Sequence, residues 1–150
     1  MEWEIYRLTI TGDGLRYWFV SEGPRGRIKK AIEFQWMRGL GSSTYNLAFG
    51  DFIEGSVQLN DRSLSNNQDR LKVLHTVATA VIEFLNDHPR SIVLIKANSL
   101  ARARLYQMMI SSVWKEIEPL YEIQGKHRIY WIPFVKGLNY SEFIVYKKIA

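Results

Sequence analysis

The chain is 150 residues long, 47% hydrophobic and 13% aromatic, which suits one domain with a buried core and excludes a disordered chain. Twenty Lys and Arg against 15 Asp and Glu leave a net charge of +5, which allows attraction to nucleic acid or another polyanion without requiring it. With no cysteine there is no disulfide framework, thiolate metal site or cysteine nucleophile, and no apolar run approaches the roughly 18 residues of a membrane span.

The opening Met-Glu-Trp-Glu is acidic where a signal peptide needs basic residues, so a cytoplasmic protein with no membrane association is expected. Leu15–Ser21 and Ile28–Met37 read as two strands around the turn Glu22-Gly23-Pro24-Arg25-Gly26. In the second strand Ile28, Ile32, Phe34 and Trp36 share one parity, while Arg27, Lys29, Glu33 and Gln35 share the other. One sheet face is therefore expected to be wet. Arg25, Arg27, Lys29 and Lys30 form a basic tip, a candidate nucleic-acid contact whose simpler explanation is the blunting of an exposed edge.

Gly39-Leu40-Gly41-Ser42-Ser43 reads as a loop, and Tyr45, Leu47 and Phe49 alternate as a third strand that Gly50 and Asp51 weaken at its end. A short strand around Val57–Leu59 and a polar run, Asn60–Asn67, precede a helix capped by Ser65, Asn66 or Asn67, with Asp69 in its first turn. Leu71, Leu74, Val77, Ala78, Val81 and Leu85 are its apolar stripe, and it ends before Pro89. Ile92–Ile95 is apolar on both parities, as in a central strand.

That strand runs into a second helix, about Leu100–Ile117, with Asn98 or Ser99 as cap and Leu105, Met108, Met109 and Val113 as buried stripe. Free amides and the positive dipole end attract an anion at such a start, and Arg102 and Arg104 in its first turns add guanidinium forks. The two arginines are about 200° apart around the axis, so they serve one ligand only near the first turn. The alternative is a solvated arginine and one paired within the chain. Tyr121–Gln124, Ile129–Phe134 and Glu142–Lys147 close the sheet, with Gly125-Lys126-His127 as a turn.

No spacing names a reaction. His75, His88 and His127 are far apart and hold no metal-ligand spacing, and His75 reads as a surface or half-buried structural residue sooner than a base. Gly39-Leu40-Gly41 lacks the third glycine of a dinucleotide site, and Asp61, Asp69 and Glu83 form no obvious acid/base pair. Catalytic residues are thus unknown, and neither a metal site nor a cofactor is expected.

Several stretches are nevertheless distinctive: Tyr45-Asn46-Leu47-Ala48-Phe49-Gly50-Asp51, Ser65-Asn66-Asn67 with Asp69, Lys72-Val73-Leu74 with Thr76-Val77-Ala78, and Ala101-Arg102 with Arg104-Leu105-Tyr106. On these the chain resembles an uncharacterised family of small bacterial proteins, a domain of unknown function. The order of its elements, with Asn98-Ser99-Leu100-Ala101 followed by Leu105-Tyr106, is more distantly similar to the GNAT acetyltransferases. Those enzymes hold the coenzyme A pyrophosphate on a Gly-rich turn opening the first of these helices, which here reads Asn66-Asn67-Gln68-Asp69-Arg70.

The expected fold is a single α+β domain over residues 1–150, a mostly antiparallel mixed sheet with two main helices flanking a central strand in GNAT-like order. The expected function is non-catalytic binding of an anionic partner, nucleic acid or nucleotide, at Asn98, Ser99, Arg102, Arg104 and Tyr106, aided by the hairpin cations. An acyl-CoA-dependent acyltransferase is the first alternative. A protein-interaction partner in a toxin–antitoxin-like pair is the second, which exposed aromatics such as Trp18 would favour.

Overall fold

The computed structural model describes residues 3–39, 43–52, 59–60 and 67–149. After β1 (Thr9–Ile10), β2 (Arg16–Gly23) and β3 (Gly26–Trp36) form a hairpin closed by the two residues Pro24 and Arg25. Proline fixes its own φ, and Gly26 takes φ +86°, a left-handed conformation that side chains disfavour. β4 (Thr44–Phe52) pairs antiparallel with β3 from Trp36↔Tyr45 to Lys30↔Asp51. It does not weaken at Gly50 and Asp51: the glycine is buried and the aspartate is paired with Lys30. β5 (Leu59–Asn60) pairs with the last two residues of β4.

α1 (Arg70–Asp87) carries the chain across to β6 (Ile92–Lys96), parallel to β4. α2 (Leu100–Ile117) then leads to the hairpin of β7 (Tyr121–His127) and β8 (Tyr130–Pro133), and β9 (Glu142–Lys147) inserts antiparallel between β6 and β7. The strand order is β1-β2-β3-β4-β6-β9-β7-β8, with β5 off this path. This is an α+β fold on a mixed, mostly antiparallel sheet.

Alternation along the strands sends Phe19, Ile32, Phe34, Leu47, Phe49, Val93, Ile95, Ile123 and Val145 to one face. There they meet Val77, Phe84 and Leu85 of α1 and Met109, Ile110 and Val113 of α2 in one core. Phe84 stacks on Phe34 with ring centroids 4.0 Å apart. Both helices therefore cover the same side of the sheet.

Four local expectations need correction. Trp36 shares the inward parity yet is 59% exposed, because β3 ends there at the rim of the helical cover. Leu71 and Met108 are exposed, while Val73, Thr76, Ala80 and Ile82 widen the buried face of α1 beyond a simple stripe. The turn after β7 is at Arg128, which takes φ +59°, not at Gly125. Gly125 is a strand residue against which Tyr140 packs, with no room for a Cβ. Asp69 is the N-cap of α1 and not a first-turn residue. The loop at residues 40–42, the strand around Val57 and the caps Ser65 and Asn66 lie outside the described residues.

Candidate functional site

The parallel pair defines the site. β4 and β6 are in register only from Thr44↔Ile92 to Asn46↔Leu94, although β4 continues to Phe52 and β6 to Lys96. β3 stays on the other edge of β4 as far as Asp51. A strand has two hydrogen-bonding edges, so the edge of β4 that turns away from β6 needs other donors. Arg102 supplies one. It is 7% exposed, and its Nη1 donates to the Phe49 carbonyl oxygen at 3.2 Å and lies 3.5 Å from the Tyr106 hydroxyl, itself buried one turn further along α2.

The first turn of α2 is built as the sequence implies. Ser99 is the N-cap in extended conformation, and its Oγ accepts from the Arg102 amide at 3.1 Å. Asn98, Ser99, Leu100 and Ala101 are exposed. The two arginines, however, are not brought to one point. Arg102 turns inward to β4, and Arg104, on the other side of the axis, is exposed.

The hairpin cluster divides in the same way. Arg25, Arg27 and Lys29 are exposed, and Arg27 faces Glu22 at 3.8 Å with both side chains largely in solvent. Lys30 is 1% exposed and ion-paired with Asp51, so it does not belong to a surface cluster. Its parity carries the signal: Lys30 falls on the same alternation as Ile28, Ile32 and Phe34.

A second buried network ties the start of α1 to the hairpin. Asp69 Oδ2 accepts from the Tyr6 and Ser21 hydroxyls, each at 2.5 Å. Asn67 donates to Ser21 Oγ at 3.1 Å and to the Gly26 carbonyl at 2.9 Å, and its Oδ1 accepts from the Arg25 amide at 2.7 Å. Burial, and then the Asp69 carboxylate, push the Tyr6 hydroxyl pKa up and keep it a donor. Gly23 is required here, since a Cβ would overlap the Asn67 backbone oxygen.

A model for a family of unknown function, DUF6934, matches residues 2–148. The chain belongs to this family. No curated protein and no solved structure matches it.

In this DUF6934 chain the stretch from Asn67 to Asp69 therefore acts as a clasp between two elements. Its carboxylate makes no side-chain cap hydrogen bond to α1, because Tyr6 and Ser21 hold it. Among the described residues no group of three or more His, Asp or Glu is placed to hold a metal ion, and no helix is long and apolar enough to cross a membrane. The histidines do not converge: His75 lies tilted against Trp3 with centroids 5.6 Å apart, while His88 stacks on Phe84 at 4.4 Å.

Sequence reasoning missed the Lys30–Asp51 pair and the clasp, whose members are distant in the chain. What the fold adds is proximity. β3 begins where β4 ends, and β6 ends towards the start of α2 on that same side. The hairpin cations and the exposed start of α2 thus share one end of the sheet. Phe49, which Arg102 contacts, is level with Ile32, so the start of α2 meets β4 five residues short of Arg27 along β3, about 17 Å at the rise of a strand.

Proposed function

We propose that this is a cytoplasmic bacterial protein whose role is non-catalytic binding of an anionic partner, nucleic acid or nucleotide, at the end of the sheet where β4 and β6 diverge. The observation that carries the reading is that exposed cations occupy one end of the sheet on both of its sides, Arg27 and Lys29 on the face away from the helices with Arg25 at the hairpin tip, and Arg104 with the exposed Ser99-capped start of α2 on the helical side. Arg102 and Tyr106 serve this site from beneath, by fastening α2 to β4. A binding role also fits the fate of the buried polar groups. Lys30, Asp51, Tyr6, Ser21 and Asp69 are engaged in holding elements together.

Binding of oligonucleotide and nucleotide, measured over a range of salt, tests the reading. Affinity should fall steeply with salt, and Arg25→Ala with Arg27→Ala, or Arg104→Ala, should each flatten the log–log slope by about one for every phosphate that is no longer neutralised. Absence of binding at low salt, or a slope near zero, overturns it.

One observation favours the acyl-CoA-dependent alternative: β9 lies between β6 and β7, and β4-α1-β6-α2 follow one another, an order similar to that of the GNAT acetyltransferases. Against it, the start of α1 presents the carboxylate of Asp69, held there by Tyr6 and Ser21, and its negative charge opposes a pyrophosphate. Saturable protection against melting by acetyl-CoA would revive it.

A further inference from the structure

The face of the sheet opposite the helices is the other surface at the same end. Arg16, Trp18 and Val20 of β2, Arg27, Lys29, Ala31, Glu33 and Gln35 of β3, and Asn46, Ala48, Gly50 and Phe52 of β4 point to it, by the parity opposite to Phe19, Ile32 and Phe49. No helix covers it among the described residues. Two aromatic rings there flank a cation: the Lys29 ammonium is 4.3 Å from the Trp18 ring centroid and 4.5 Å from that of Phe52. Both rings are half-buried, so each keeps part of its surface in solvent. Arg27 follows on the same parity and Arg25 stands at the tip, with only Glu22 opposing these cations on the hairpin. Further along the face the charges cancel, as Arg16 pairs with Glu33 and Lys126 with Glu142.

We propose that this end of the helix-free face is a stacking platform for single-stranded nucleic acid, with bases on Trp18 and Phe52 and phosphates at Lys29, Arg27 and Arg25. The proposal rests on the anionic-partner reading above and names its partner class. Every base has a π face, so rings on a sheet bind a splayed strand with little sequence preference, each stack contributing about 1–3 kcal/mol. A duplex keeps its bases stacked on one another and cannot use rings on an open sheet. A protein docking on the rings would bury the Lys29 ammonium and have to supply a counter-charge. A phosphate backbone brings that charge with every nucleotide.

The test is titration of the full chain with a labelled oligouridylate, with the corresponding duplex in parallel. Trp18→Ala should weaken single-strand binding about tenfold, as loss of one stack implies, and Trp18→Phe should restore most of it. Lys29→Gln should lower the salt slope by about one. Thermal melts of each variant confirm that it is folded. If folded Trp18→Ala and Lys29→Gln bind like the parent while Arg104→Ala is impaired, the platform is wrong and the anionic-partner reading stands. Equal affinity for duplex and single strand also overturns the platform. If no nucleic acid or nucleotide binds at low salt, both fail.

Discussion

At the scale of single residues, the groups that carry charge in this chain are mostly committed to its own structure. Lys30 is buried to 1% exposure against Asp51, an arrangement whose strength lies in the pair and not in either member. Asp51→Ala would leave an ammonium without its partner and should destabilise the protein by about 3–5 kcal/mol, whereas Lys30→Met with Asp51→Leu should recover at least half of that in denaturant melts. His75 offers a pH signature. Its Nε2 is buried without a hydrogen-bond partner beside Trp3, and burial holds its pKa below the ordinary 6.5, opposed by Glu116. The unfolded chain then binds the proton more readily than the folded one, so the contribution of His75 is complete above pH 6.5 and is lost as pH falls through the lower folded value. Melting temperatures measured from neutral pH to pH 5 should fall more steeply for the parent than for His75→Gln. Parallel curves would rule out this histidine as the source.

At the scale of elements, two polar fastenings set where the helices begin. Asn67 and Asp69 lock the start of α1 to the β2–β3 hairpin, and Arg102 locks α2 to the edge of β4 that β6 leaves behind. The hairpin lock depends on close approach, since any side chain at position 23 meets the Asn67 backbone. Gly23→Ala should cost about 1–3 kcal/mol, the usual range for overpacking. It should also speed hydrogen exchange of the Arg25 amide, which Asn67 Oδ1 now protects at 2.7 Å. Unchanged stability and unchanged exchange would show that the clasp does not control this junction. The N-terminal segment adds a strap over α1, with Trp3 donating to Thr79 Oγ1 and the Tyr6 amide to Thr76 Oγ1, each at 2.9 Å.

At the scale of the whole molecule, the sheet has a helical side and, among the described residues, a side that no helix covers, and exposed cations of the hairpin and of α2 lie towards one of its ends on both sides. The local periodicities determined much of this. The apolar run Ile92–Ile95, the Ser99 cap and the interval Leu100–Ile117 were legible because strand alternation, capping and helical spacing act over a few neighbouring residues. So was the hairpin, because proline and glycine constrain their own dihedrals. The role of a charged side chain was not legible in the same way. Arg102 and Arg104 look alike in sequence, and only the divergence of β4 from β6 makes one a structural donor and leaves the other in solvent. Lys30 and Lys29 are neighbours, yet the first is buried against Asp51, while Trp18 and Phe52 flank the second on the open face. The sequence alone determined the elements and the residues each presents on its faces, since those follow from backbone geometry. Only the tertiary structure decided which of those faces are covered and which charges meet partners, because those contacts join residues distant in the chain.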